Sequence, residues 1–127
     1  MPECPSQAAC VFEYLYRDAG NWKTYGEILL AGKFWPALRD ELTACCEMDA
    51  LFVAEQVHVE PLQPKHHVTY GEPSELDHAF HEFVDIRAAT AGDIGRLPFA
   101  GQLNDLVMSM HAARDRWNCA LSPCGWL

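Results

Sequence analysis

Hydrophobic and polar positions change period several times along this chain, and each change marks a predicted element. Between residues 10 and 18, Phe12, Tyr14 and Tyr16 alternate with Val11, Glu13, Leu15 and Arg17, the two-residue period of a strand. Ala19-Gly20-Asn21 supplies turn residues. Residues 22–31, rich in aromatic and branched side chains, read as the returning strand of a β-hairpin, with Gly26 as a candidate bulge. Pro36 suits the first turn of a helix, where its missing N–H costs nothing. Trp35, Leu38, Leu42 and Cys45 continue as a helical stripe with Arg39, Asp40 and Glu41 off it, so a helix is predicted over residues 36–48. Phe52, Val53, Val57 and Val59 predict a strand over 51–59, ended by Pro61 and Pro64, which cannot donate to a sheet ladder. Residues 66–70 read as a short edge strand or a loop.

Ser74, with Asp77 three residues on, has the form of a helix start. Leu76, Ala79, Phe80 and Phe83 then fall within one arc at 100° per residue, predicting a short second helix over 75–83. A compact strand over 84–89 follows. After Gly92, Gly95 and Pro98, the residues Leu103, Leu106, Val107, Met110, Ala113 and Trp117 keep one apolar face, predicting the longest helix over 99–117. Residues 1–9 and 118–127 are expected to be irregular, with Leu121 and Trp126 folding back on the core. The order β-β-α-β-α-β-α predicts a two-layer α+β fold. Its sheet is largely antiparallel, of about four strands, with the helices packed on one face; a mixed sheet is the alternative.

Composition agrees with one domain: 127 residues, half of them hydrophobic, supply a proper core. No apolar run is long enough to cross a bilayer, and the first residues lack the pattern of a secretory signal. The six cysteines show no Cys-x-x-Cys spacing, so reduced thiols in a cytoplasmic chain are expected, with Cys119–Cys124 the one bond worth testing. A net charge of −9 and a pI near 4.9 argue against nucleic acid and against an anionic membrane surface. They suit a basic protein partner or a cation.

Charge and histidine are unevenly spread. Five of the six histidines (His58, His66, His67, His78 and His81) lie in one stretch. Residues 55–85 hold seven acids against one base, Lys65. On the predicted second helix, Asp77, His78, His81 and Glu82 fall opposite the apolar arc. His78 and His81 are three apart, and Asp77–His81 and His78–Glu82 are four apart, the spacings at which helical side chains meet. Two imidazoles and a carboxylate there suit a divalent transition metal with an open position, the third ligand coming from His58, His66 or His67. Weighed against this is an ordinary solvated helix face joined by weak surface pairs. His66-His67 is a poorer pair, because neighbours on a strand point to opposite faces.

A second candidate surface is the hairpin tip: Tyr16, Arg17, Asp18, Asn21, Trp22 and Lys23. Aromatic, cationic and amide groups crowded together suit a docking surface; the plain alternative is a turn held by Asp18 and Asn21. The Tyr-Arg-Asp-x-x-Asn-Trp-Lys segment at 16–23, Phe-Val-Ala-Glu-Gln-Val at 52–57 and Asp-His-x-Phe-His-Glu-Phe at 77–83 together resemble a group of small bacterial proteins of unknown function. That resemblance spans roughly residues 11–90. It implies a bacterial or phage-related source and a compact domain, and it implies no activity.

Neither a Gly-x-Ser-x-Gly elbow nor a phosphate-binding Gly-Lys-Ser/Thr loop is present. The leading expectation is therefore a small acidic binding or inhibitory module for a protein or small ligand, not an enzyme, without an organic cofactor, and a possible homodimer. The alternative is a metal-dependent hydrolase or metal-binding protein built on His78 and His81.

Overall fold

The computed structural model describes residues 8–124. Cys4 and Trp126 lie outside them. The chain forms an α+β fold on a five-stranded mixed sheet with strand order β3-β4-β1-β2-β5. β1 (Ala9–Arg17) and β2 (Lys23–Ala31) make the predicted hairpin, paired from Ala9↔Ala31 to Arg17↔Lys23. β3 (Leu51–Val53) and β4 (Phe80–Ala88) continue the sheet antiparallel on the other side of β1. β5 (Phe99–Gln102) pairs parallel to β2, so the expected four-stranded antiparallel sheet gains a fifth, parallel edge.

The inward residues of β1 carry the core. Phe12, Tyr14 and Tyr16 are sealed, and Phe12 stacks on Phe83 at 5.4 Å and meets Phe52 edge-on at 5.7 Å. Each such ring removes enough apolar surface to contribute about 1.5–3 kcal/mol. α1 (Leu38–Cys45) and α4 (Leu103–Ala113) press their stripes onto this layer. Gly32 takes a positive φ of 150° where β2 ends against α4; a Cβ there would sit 2.6 Å from that of Leu103. A smaller cluster of Ala9, Val11 and Leu29 lies on the opposite face under Leu97. α3 (Ala91–Arg96) is tied to that face through Glu13, Glu27 and Arg87, so the helices do not all pack on one side.

Several elements differ from expectation, each for a physical reason. The strand expected over 51–59 stops at Val53 and tightens into a 3₁₀ turn, Ala54–Val57, closed by His58 in the left-handed conformation. Residues 66–70 belong to a helix, α2 (Gln63–Tyr70), started by Pro64 in its first turn. The helix expected over 75–83 does not form. Ser74 and Asp77 do make the local exchange of a helix start: Leu76 N–H donates to Ser74 Oγ, and Ser74 N–H to Asp77 Oδ2. The chain then extends into β4, where His81 and Phe83 continue inward the alternation begun by Ala79 just before it. One extra residue on β4, Val84, bulges out opposite Glu13 and Tyr14; Gly26 is not at a bulge. The last helix begins at Leu103, because residues 99–102 are taken by β5. Leu121 is 51% exposed in a 3₁₀ turn and does not fold back on the core. Among the described residues no helix is long and apolar enough to cross a membrane, and all five cysteines there, Cys119 and Cys124 included, are unbonded.

Candidate functional site

The two surfaces separated in sequence meet in space. The hairpin tip and the loop 71–79 dock on each other, with Ala19 N–H donating to Leu76 O at 2.9 Å, and α2 closes over both. Asp18 holds the tip: its Oδ1 accepts Gly20 N–H at 2.8 Å and Trp22 N–H at 3.1 Å. Asn21 takes the positive φ of 71° that this turn requires, a conformation Asn tolerates well.

Two histidine–aspartate pairs result. His66 Nε2 donates to Asp18 Oδ2 at 2.9 Å, while its Nδ1 is hydrogen-bonded to the Thr24 hydroxyl at 2.7 Å. His67 Nε2 donates to Asp77 Oδ1 at 3.0 Å. The same Asp77 oxygen accepts the Tyr16 hydroxyl at 2.5 Å, and Oδ2 accepts Ser74 N–H at 2.9 Å. Burial alone would raise both carboxyls. The hydrogen bonds from His66, Trp22 and Gly20 outweigh it at Asp18, and those from Tyr16, Ser74 and His67 outweigh it at Asp77, so both sit below the ordinary carboxylate range. Burial, reinforced by Asp77, pushes the Tyr16 hydroxyl well above its usual value and keeps it a donor.

Tyr16 is the centre of this cluster, its ring lying 4.9 Å from that of His66, 5.3 Å from His78 and 5.4 Å from His81. Above it opens a cleft of about 270 Å³ lined by Asp18, Asp77, Glu72, His67, Trp22 and Tyr70, among others. Trp22 and Tyr70 stand at its side, rings 5.3 Å apart, 57% and 46% exposed.

The expected metal face is not assembled. His81 is sealed in the core: Leu62 N–H donates to its Nε2 at 2.9 Å, and its Nδ1–H faces Ala79 O at 3.4 Å. Burial pushes it down to about 4, so it is neutral. His78 accepts Phe80 N–H at Nδ1 (3.1 Å) and donates from Nε2 to Arg17 O (2.7 Å). All four ring nitrogens are thus engaged by backbone groups. Glu82 pairs with Arg17 at 2.7 Å, and Asp77 is committed to Tyr16 and His67. Among the described residues no three His, Cys, Asp or Glu side chains are grouped to hold a metal ion.

The tip residues divide by role. Tyr16 and Asp18 are buried supports. Arg17 is held by Glu82 and by Asn21 Oδ1 at 2.6 Å. Lys23 contributes its carbonyl to the Tyr70 hydroxyl at 3.1 Å, and Trp22 remains available to a partner. As neighbours on a strand His66 and His67 would point to opposite faces. On a helix, neighbours lie 100° apart and both reach the cleft; Pro64 was the signal that identifies the helix.

Two arrangements resemble a nucleophile backed by a base and an acid. Thr24–His66–Asp18 has the order of a hydroxyl relay, but Thr24 is only 8% exposed and does not line the cleft. Cys45 Sγ lies 3.8 Å from His111 Nδ1, whose Nε2 bonds Glu41 at 2.5 Å. That thiol is sealed, and burial raises its pKa, so it is closed to substrates. Comparison of the chain with protein-family models, with curated proteins and with solved structures finds no match.

Proposed function

We propose that the protein is a small acidic binding module that docks a protein partner at the cleft between the hairpin tip and α2. The observation that carries this reading is the exposed Trp22–Tyr70 pair beside a rigid polar floor. Large aromatic side chains left in water next to a concave, hydrogen-bonded site have the character of interface anchors, which lose little entropy on binding. The floor supports them: Asp18 and His66 are braced from behind by Thr24, and Asp77 by Tyr16, so the site needs little ordering when occupied. At about 270 Å³ the cleft falls below the roughly 300–1,000 Å³ of small-molecule pockets, which favours a single side chain of a larger partner. The unbonded thiols are in keeping with a reducing compartment.

The test is site-specific photo-crosslinking in lysate of the source cells, with the reactive residue at Trp22, at Tyr70, or at the distant exposed Met108. A discrete adduct from the first two positions and none from Met108 supports the reading. Adducts from Met108 alone, or from no position, overturn it. Trp22→Ala is expected to weaken binding by about 2 kcal/mol, roughly 30-fold, with an unchanged melting curve.

A further inference from the structure

Resting on the docking reading above, we propose that the occupant of the cleft is a cationic side chain, lysine or arginine, presented by a basic segment of the partner. Charge is the first ground. Three carboxylates, Asp18, Glu72 and Asp77, line the cleft, and no lysine or arginine does. Arg17, close by at the tip, is already spent on Glu82 and Asn21. The surrounding chain, at −9 overall, adds to the same field and steers cations toward it.

The second ground is hydrogen-bond inventory. The donors around the floor point inward: the Tyr16 hydroxyl, Nε2 of His66 and His67, and the N–H groups of Gly20, Trp22 and Ser74 all end on Asp18 or Asp77. The Tyr70 hydroxyl ends on Lys23 O. An arriving anion would find the Ser74 hydroxyl and the Trp22 indole N–H as side-chain donors, without a lysine or arginine beside them. Acceptors remain in supply. Glu72, exposed at the cleft, makes no ion pair or side-chain hydrogen bond among the described residues, so both its carboxylate oxygens are open to a donor. Ammonium and guanidinium groups are donors only, so they match a surface of lone pairs.

The third ground is independent of the acids. The Trp22 and Tyr70 rings, 5.3 Å apart, partly exposed and lining the cleft, supply aromatic surface of the kind that attracts a cation and covers its aliphatic stem. An arginine fits best, because its planar, weakly hydrated fork both stacks and bonds carboxylates.

The experiment titrates the protein with acetyl-Gly-Arg-Arg-Gly-amide and follows the Trp22 indole N–H resonance. The matched peptide carries citrulline, which keeps the shape and removes the charge. The arginine peptide is expected to bind about tenfold more tightly, equivalent to about 1.4 kcal/mol, and to weaken as salt rises. Glu72→Gln, at an exposed residue outside the folding core, is expected to reduce binding about threefold, and Trp22→Ala to abolish it, read there from Tyr70 resonances. Equal affinity for the two peptides overturns the cationic assignment and leaves the docking reading in place. Binding of neither peptide also overturns it. The crosslinks at Trp22 and Tyr70 then decide separately whether the cleft docks a partner at all.

Discussion

Two acid-rich clusters on this molecule are held in opposite ways. On the outer face of the sheet, Glu13, Glu27 and Asp93 surround two arginines. Arg87 bonds Glu13 at 3.1 Å and Asp93 at 2.6 Å; Arg96 bonds Asp93 at 3.0 Å and pairs with Glu27. Permanent cations drive the Asp93 carboxyl far below its ordinary value, Arg87 first among the causes. At the hairpin tip, Asp18 and Asp77 meet only hydroxyls, backbone N–H groups and imidazoles. The first cluster carries its own counter-charge and is closed. The second has no arginine or lysine bonded to its acids, satisfies them with hydroxyl, backbone N–H and imidazole donors, and faces a cleft. An acid paired with arginine secures the fold; an acid with no permanent cation bonded to it is left able to attract a partner.

The comparison breaks most easily at Asp77. Asp77→Ala orphans the sealed Tyr16 hydroxyl, Ser74 N–H and the His67 Nε2–H together. Removing one side of a buried network costs about 3 kcal/mol, more than any single surface pair returns. The expected reading is a fall in the urea midpoint with an unchanged slope. A loss under about 1 kcal/mol would mean that water takes over these donors and that the tip is not a preorganised floor.

Acid tests the packing beneath the tip next, at the buried His81. His81 is sealed and neutral, with a pKa of about 4 against an ordinary 6.5. A depressed value means that its contribution is complete above pH 6.5 and is lost as pH falls toward 4, because the unfolded chain takes the proton first. The loss amounts to about 3 kcal/mol over that window. Asp18 and Asp77, also depressed, add a further loss only below the ordinary carboxylate range near 4. Denaturation followed from pH 7 to 4 should show the upper step, and His81→Gln should flatten it. A step that survives in the variant would have to come from another group.

The same histidines explain what the sequence showed and what it hid. Phe12, Tyr14 and Tyr16 alternate without interruption, and β1 was legible from them. Leu38, Leu42 and Cys45, and likewise Leu103, Leu106, Val107 and Met110, lie buried where their spacing predicted. Two of the failures, at α2 and β4, are at elements that bury polar groups. Of α2, only Gln63 and His66 are buried, so the helix docks by hydrogen bonds and carries no apolar stripe to read. In β4, His81 fills an inward position, and counting it as polar erased the alternation of Ala79, His81 and Phe83. What remained, Leu76 with Ala79, Phe80 and Phe83, imitated a helical arc. β5 is exposed throughout and merges with the helix pattern that follows it. Asp18 and Asp77 were legible as candidates; that they share one floor with His66 and His67 was not, since it depends on how the tip, the loop and α2 pack.

A smaller effect is expected at the start of α3. Thr90 Oγ1 accepts Asp93 N–H at 3.1 Å while Asp93 Oδ2 accepts Thr90 N–H at 2.8 Å, a reciprocal cap. Thr90→Ala should cost about 1 kcal/mol, the usual worth of such a cap. Thr90→Ser should restore it, since the hydroxyl is all the cap requires. If serine fails as alanine does, packing of the methyl group rather than the cap is what Thr90 supplies.

The smallest effect sharpens the comparison most. Arg87 sits at the centre of the outer cluster, yet its side chain and that of Glu13 are each about one third exposed, at 32%. Water and salt therefore compete for it, and Arg87→Ala should cost about 1 kcal/mol or less, most of it gone in molar salt. Asp93 would still be held by Arg96 and by Thr90, so no buried charge is abandoned. The Asp77→Ala loss should by contrast depend less on salt, because the carboxylate is buried and held by the Tyr16 hydroxyl, Ser74 N–H and the His67 ring, with no arginine or lysine among its partners. Measuring both variants at low and high salt thus tests the distinction through the sign of a difference. A salt-insensitive loss at Arg87 matching that at Asp77 would mean that the outer cluster is as much a buried network as the tip, and that the tip's negative charge has no special claim to a partner.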